Sequence, residues 1–173
     1  MSDTREFLAE PLDPTRHERA TFDCGVEALN DFLRTRARKE MDSRTSACFV
    51  MVPKDNLSCI AGYYTLSSAT IVRADLPEAL TKKLPRYPEI PATLLGRLAR
   101  SLDFKGQGIG DRLMASALAR SVSAAQEVAS WAMITDPIDE RARNFYASFG
   151  FRLLTEGRQF LPLKQGAAWL NAR

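Results

Sequence analysis

A single histidine, His17, stands among 173 residues, and the three cysteines, Cys24, Cys48 and Cys59, are odd in number and never spaced as Cys-x-x-Cys. That scarcity excludes a structural zinc site and a disulfide framework, so no metal is expected. It also leaves a Ser-His-Asp or Cys-His catalytic system dependent on one imidazole in a polar stretch without a nucleophile motif nearby. No apolar run approaches the roughly 20 residues of a membrane-spanning helix. The start, Met1 to Glu10, is acidic where a signal peptide is basic and then apolar, so a cytoplasmic location is expected and no membrane partner. Internal repeats and low-complexity segments are missing too, which removes solenoids and disordered tails from consideration.

What is present is ordinary for a folded domain: 45% hydrophobic and 26% charged residues in a length that suits one core, so residues 1–173 are read as a single domain. The net charge of +3 is mild, but 18 of the 24 basic residues are arginine, the better fork for phosphate and for buried carboxylates.

Patterning along the chain gives an α/β (α+β) order. A short edge strand is expected at 6–12, followed by an amphipathic helix from Gly25 to Met41 with Val26, Leu29, Phe32, Leu33 and Ala37 on its apolar face. Its later turns carry Arg34, Arg36, Arg38 and Lys39, which serve equally as a dipole-stabilised helix end or as a phosphate-binding face. A β-hairpin is expected from 47–53 and 59–72, and a helix at 75–84. Pro85, Pro88 and Pro91 then force an extended linker into an apolar strand at 93–102. Helices are expected at 111–125 and 138–149, the latter closed by Gly150, with strands at 128–134, 151–154 and 159–163. Together these make a mixed sheet with helices packed on it.

Between the strand ending at Leu102 and the helix starting at Asp111 lies Lys105-Gly106-Gln107-Gly108-Ile109-Gly110. Glycines at this junction let main-chain amides converge at a helix N-terminus, where phosphate groups bind. No Gly-Lys-Ser/Thr follows, so it is not a P-loop, and the third glycine comes one residue early for a dinucleotide fingerprint. A tight turn with no ligand would use the same glycines.

This loop resembles the Gln/Arg-x-x-Gly-x-Gly/Ala pyrophosphate loop of the GCN5-related N-acetyltransferases (GNAT), which use acetyl-CoA. Three stretches in consistent order are similar to the toxin acetyltransferases of type II toxin-antitoxin systems that acetylate aminoacyl-tRNA. They are Phe22-Asp23-Cys24-Gly25 with Leu29-Asn30-Asp31-Phe32-Leu33; Leu95-Gly96-Arg97-Leu98-Ala99 leading into the glycine loop; and Ala142-x-Asn144-Phe145-Tyr146-x-x-Phe149-Gly150-Phe151. Lys105 departs from the family's first loop residue, and Arg100 and Ser101 replace the usual apolar and acidic pair.

The resemblance implies the GNAT fold, a mixed, mostly antiparallel central sheet flanked by helices, and that the strand amides of Leu98, Ala99 and Arg100 meet the pantetheine arm. It also implies that Lys105, Gly106, Gln107, Gly108, Ile109 and Gly110 form the pyrophosphate cradle, that Asn144 touches the cofactor, and that Tyr146 donates a proton to the leaving thiolate. By spacing alone, Tyr146 reads equally as a core aromatic beside Phe145 and Phe149. A tRNA acceptor would call on basic residues, for which Arg34, Arg38, Lys39, Lys82, Lys83, Arg86 and Arg97 are candidates, while Tyr63, Tyr64 or Tyr87 could stack on the single-stranded end. The resemblance further implies a ribbon-helix-helix antitoxin and a homodimer. Acetylation of a small amine, a protein N-terminus or a lysine, and a non-catalytic acetyl-CoA-binding module, are the alternatives.

Overall fold

The computed structural model describes residues 4–173. Its strands are β1 (Phe7–Pro11), β2 (Ala47–Pro53), β3 (Gly62–Val72), β4 (Glu89–Arg100), β5 (Ala132–Thr135), β6 (Arg152–Leu153) and β7 (Gln159–Pro162), in the sheet order β1-β2-β3-β4-β5-β7-β6. β4 and β5 run parallel, whereas β1 with β2, β2 with β3, β5 with β7 and β6 with β7 pair antiparallel. The helices are α1 (Glu27–Asp31) continuing through a π-helical segment Phe32–Arg36 into α2 (Ala37–Asp42), then α3 (Glu78–Thr81), α4 (Ile109–Ala124), α5 (Glu140–Ala147) and α6 (Leu163–Asn171). Among the described residues, no helix is long and apolar enough to cross a membrane. The chain forms two compact units, one from the segment ending at Ser67 with Gly96–Ser116, the other from Ser68–Leu95 with Ala117–Arg173.

In the first unit, alternation on β2 sends Cys48, Val50 and Val52 into one core with Phe22, Phe32, Leu33, Ala37, Tyr63 and Ala99. Burial pushes the Cys48 thiol up to about 12, with the charge of Arg97 acting weakly against it. The loop 22–25 is tied to α1 by a side chain. The Asn30 Oδ1 accepts from the Cys24 amide at 2.8 Å, and its Nδ2 donates to Asp23 Oδ1 at 2.9 Å. Asp23 also receives the amide of Gly25, whose φ of +86° needs glycine. Asn30 is buried, so removing its amide strands an enclosed backbone donor. Asn30→Ala is expected to cost about 2–3 kcal/mol in a urea melt, and a loss under about 0.5 kcal/mol would show that water replaces it.

In the second unit, Ile71, Leu76, Ile90, Ala92, Ala132, Ile134 and Phe160 make the core. Several boundaries differ from the sequence expectation, each for a local reason. The helix expected at 75–84 shrinks to one turn, since Pro77 can only start it and the Arg73 guanidinium takes the Thr81 and Pro85 carbonyls at 2.7 and 3.2 Å. β4 begins at Glu89 and runs through Pro91, whose carbonyl accepts from Trp131 just before β5, so the missing proline N–H falls at the frayed end of the ladder. α5 starts at Glu140 because Asp139 caps it, accepting from the Ala142 amide at 2.8 Å. α6 follows β7 directly, where no helix was expected. Trp169 on α6 meets Phe149 edge-on at 5.2 Å, and Gly166 lets the Leu118 side chain approach.

Candidate functional site

The glycine loop and the first turn of α4 belong to the first unit. Gly106 and Gly108 adopt φ of +79° and +71°, which L side chains rarely tolerate, and a Cβ built at either would meet nothing within 4 Å. The loop's open side is therefore bare main chain. Arg112 donates to the Gly108 carbonyl at 3.1 Å, which starts the helix, while the amides of Gly106, Gly108, Ile109 and Gly110 meet no backbone acceptor among the described residues. The Gln107 amide is spent on the Phe104 carbonyl at 3.3 Å, and Lys105's on Leu102. The cradle thus consists of four donors at a 16-residue helix whose dipole adds to their charge.

These donors fit a pyrophosphate group, which needs several N–H groups and no side chain. The Ile109 side chain itself is buried and belongs to the core, so only its main chain faces outward. Gly108→Ala is expected to weaken acetyl-CoA binding about 10-fold or more, through left-handed strain of roughly 1–2 kcal/mol plus a methyl on the open side of the cradle. Calorimetric titration of the variant checks this, and an unchanged dissociation constant would remove the loop from the cofactor site.

On β4, Leu98 is half-buried and Ala99 buried. Arg100 Nε is enclosed without a hydrogen-bond partner, an unmet donor on the strand segment proposed for the acyl arm. Ser101 caps the short 3-10 turn after the strand, accepting from the Asp103 amide at 3.2 Å. The unusual Arg100-Ser101 pair thus ends β4 and opens the turn that leads to the glycine loop.

Tyr146 lies on α5 in the second unit, 6% exposed, between Phe145 and Phe151 with ring centroids 5.4 and 5.6 Å away. Burial raises its hydroxyl pKa above the ordinary phenol value, and a hydrogen bond with the Thr135 side chain works against that rise. Thr135 is itself buried, its Oγ1 donating to the Leu95 carbonyl at 3.1 Å. The phenol is a neutral donor at physiological pH. Asn144 is exposed on the same helix.

The basic candidates divide between the units. Arg34, Arg38, Lys39 and Arg97 lie in the first, Lys82, Lys83 and Arg86 in the second. Arg34 pairs with Glu27 at 2.6 Å, Arg38 with Asp42 at 4.0 Å and Lys82 with Glu78 at 3.9 Å, while Lys39, Lys83 and Arg86 are exposed. Arg97 alone of these lies on an aromatic ring, its Cζ 3.5 Å from the Phe32 centroid. Tyr63 and Tyr64 are fully buried core residues, whereas Tyr87 is 68% exposed and free to stack.

A cleft of about 420 Å³ is lined by Arg16, His17, Glu18, Arg19 and Arg34 among others. The His17 ring is spent on structure, since Nδ1 accepts from the Asp13 amide at 2.9 Å and Nε2 faces Glu10 Oε1 at 2.7 Å.

Comparison with known proteins places this architecture. Residues 76–153 match the acetyltransferase (GNAT) domain family. The chain is 31% identical over 165 residues to "Probable toxin TacT" of Sinorhizobium fredii, covering 90% of this chain and 91% of that one. It is 32% identical over 133 residues to a tRNA-acetylating toxin of Mycobacterium tuberculosis, covering 77% of each. Among solved structures, AtaT complexed with acetyl-methionyl-tRNAfMet aligns with a TM-score of 0.87 at 32% identity, over 94% of this chain and 98% of that one. A tyrosine-to-phenylalanine variant of AtaT, bound to the C-terminus of its antitoxin AtaR and acetyl-CoA, aligns at 0.80 and 27% identity, over 96% and 99%.

Proposed function

This chain belongs to the GNAT acetyltransferases, in the group of tRNA-acetylating toxins, and we propose that it transfers acetyl from acetyl-CoA to the α-amino group of an aminoacyl-tRNA and so stops translation. The observation that carries the reading is the bare cradle: unspent amides at Gly106, Gly108, Ile109 and Gly110 heading α4, on the segment that leads out of β4.

Acetyl-CoA supplies a thioester, whose acyl carbon accepts the amine and whose sulfur departs as a thiolate. The chain's own part is to hold and to protonate. The cradle amides bind the pyrophosphate, with the exposed Lys105 adding charge at its rim and Asn144 a further polar contact. The main chain of Leu98, Ala99 and Arg100 aligns the acyl arm, and Tyr146 O–H gives its proton to the leaving sulfur. The proton lost by the amine returns to the tyrosine through solvent, so the overall transfer balances. No general base is required, because esterification of the carboxyl lowers the pKa of the α-amine and leaves much of it neutral.

Both units act as one acetyltransferase domain in this reading, and the enzyme works in the cytoplasm, where charged tRNA is found. It works as a homodimer and is neutralised by a ribbon-helix-helix antitoxin. The test is to follow label from acetyl-CoA into total tRNA in charged and deacylated forms. Label on charged tRNA alone is expected. Label that stays on acetyl-CoA, with cofactor binding verified, would end the tRNA reading and move the search to small amines and proteins.

A further inference from the structure

Arg97 lies on β4 in the first unit, in a setting that the chemistry above does not explain. It projects from β4 onto the face that also carries Ala99, because both meet the cluster built around Phe32. With its Cζ 3.5 Å from the ring centroid, the guanidinium lies on the Phe32 face at van der Waals contact. Beneath it the stack is rigid. Phe32 lies nearly parallel to Tyr63, 15° between planes and 6.2 Å between centroids, and Phe22 closes edge-on at 5.6 Å. The Tyr63 hydroxyl donates to the Leu29 carbonyl at 2.7 Å, which fixes the column to α1.

Three arginines on the helix that carries Phe32 are paired with carboxylates, and Arg97 is not paired with any among the described residues. Arg36, also near the Phe32 ring, pairs with Glu40 at 3.1 Å, Arg34 with Glu27 and Arg38 with Asp42. Arg97 has no carboxylate and no hydrogen-bond acceptor among the described residues, and none of its nitrogens is an enclosed orphan. Its N–H fork therefore faces solvent from a half-buried, immobilised base. A guanidinium held this way has already lost its rotamer freedom and offers bidentate geometry to an oxyanion.

We propose that Arg97 is a substrate-binding residue that takes a backbone phosphate of the acceptor RNA's single-stranded end. The inference rests on the aminoacyl-tRNA reading above and narrows the anion. The reacting amine belongs to an amino acid whose carboxyl is esterified, so it brings no carboxylate to the fork. The anions that accompany it are the phosphodiesters of the terminal nucleotides. Position agrees, because Arg97 precedes by one residue the segment Leu98 to Arg100 assigned to the acyl arm.

The test is fluorescence anisotropy with labelled deacylated tRNA across a potassium chloride series, on the wild type, Arg97→Met and Arg97→Lys. Methionine keeps the stem over Phe32 and removes the charge. It is expected to weaken binding about 10-fold at low salt and to reduce the slope of log affinity against log salt by about 0.7, the value for one single-strand phosphate. Lysine is expected to restore the slope and only part of the affinity, since a point charge replaces a fork. Acetyl-CoA affinity and the thermal midpoint stay near wild type in both. Unchanged RNA isotherms would overturn the proposal, as would a methionine variant that loses thermal midpoint and acetyl-CoA affinity together, which marks a cap on the aromatic column. An Arg97-dependent slope in a wild type that places no label on charged tRNA would sustain the phosphate contact and sink the acetylation reading instead.

Discussion

Tyr146→Phe is expected to lower turnover on charged tRNA by about 10²- to 10⁴-fold, the usual range for a general acid. The folded protein should hardly register the change. The hydroxyl is the only group removed, the ring keeps its contacts with Phe145 and Phe151, and Thr135 Oγ1 keeps its own acceptor at the Leu95 carbonyl. Acetyl-CoA affinity stays near wild type as well, because the cradle is made of main-chain amides on another element. A kcat within about threefold of wild type would return Tyr146 to the role of a core aromatic. The pH profile separates the two cases further. Burial raises the phenol's pKa, so the acid form persists through and above the ordinary phenol value of about 10. Wild-type kcat should therefore rise as the amine deprotonates and show no loss of a proton donor below about pH 10. A fall centred near neutrality would require a different acid.

The second large effect is structural and falls on a residue no motif singles out. A Cβ at Gly62 would lie 2.8 Å from the Ala99 carbonyl oxygen, 2.8 Å from Leu113 Cδ1 and 3.1 Å from Ile109 Cγ2. The first of these is backbone and cannot swing aside. Gly62 is thus what allows β3, the end of β4 and the first turn of α4 to close together. Gly62→Val is expected to cost about 3 kcal/mol or more, at the upper end of overpacking penalties, and to yield largely insoluble chain. Gly62→Ala is the milder companion: urea melts should find it less stable by about 1–3 kcal/mol. Its acetyl-CoA affinity should fall as well, since the contact moved is the one that seats Ile109 and the cradle behind it. An alanine variant as stable as wild type would mean the strands can part without cost.

The contrast between these two residues tells what a sequence carries. Tyr146 sits in a recognisable stretch, and the glycine loop announces itself by spacing between a strand and a helix. The apolar stripe of α4 was equally plain, since Leu113, Met114, Ala117 and Leu118 are all buried. Gly62 reads only as a weak strand residue, because its neighbours at Ala99 and Leu113 are distant in the chain. Arg97 was visible as a cation, but its ring contact and its lack of a partner are tertiary facts. The Arg38–Asp42 pair was open to reading from its i,i+4 spacing on one helix, whereas Arg34 meets Glu27 seven residues earlier, a pairing that simple helical spacing does not announce. The missed α6 has a different cause. It opens at Leu163 straight after a buried strand, and its packing on Phe149 and Leu118 supplies what a short segment with Gly166 lacks in intrinsic helix preference.

The π-helical segment Phe32–Arg36 has its own bearing on how such a chain can diverge. A wide turn holds one residue more than an α-helical path would, so it absorbs that residue locally and leaves the side chains after it in phase. Deleting one residue there would restore ordinary winding and keep Ala37 turned into the core, whereas deleting one from a regular turn would rotate everything after it by about 100°. The buried Asn30, Phe32, Leu33 and Ala37 hold the inward face of this helix, and variation falls on its exposed positions. A lineage descended from this protein can therefore shed the extra residue between Phe32 and Ala37 and still keep that inward face.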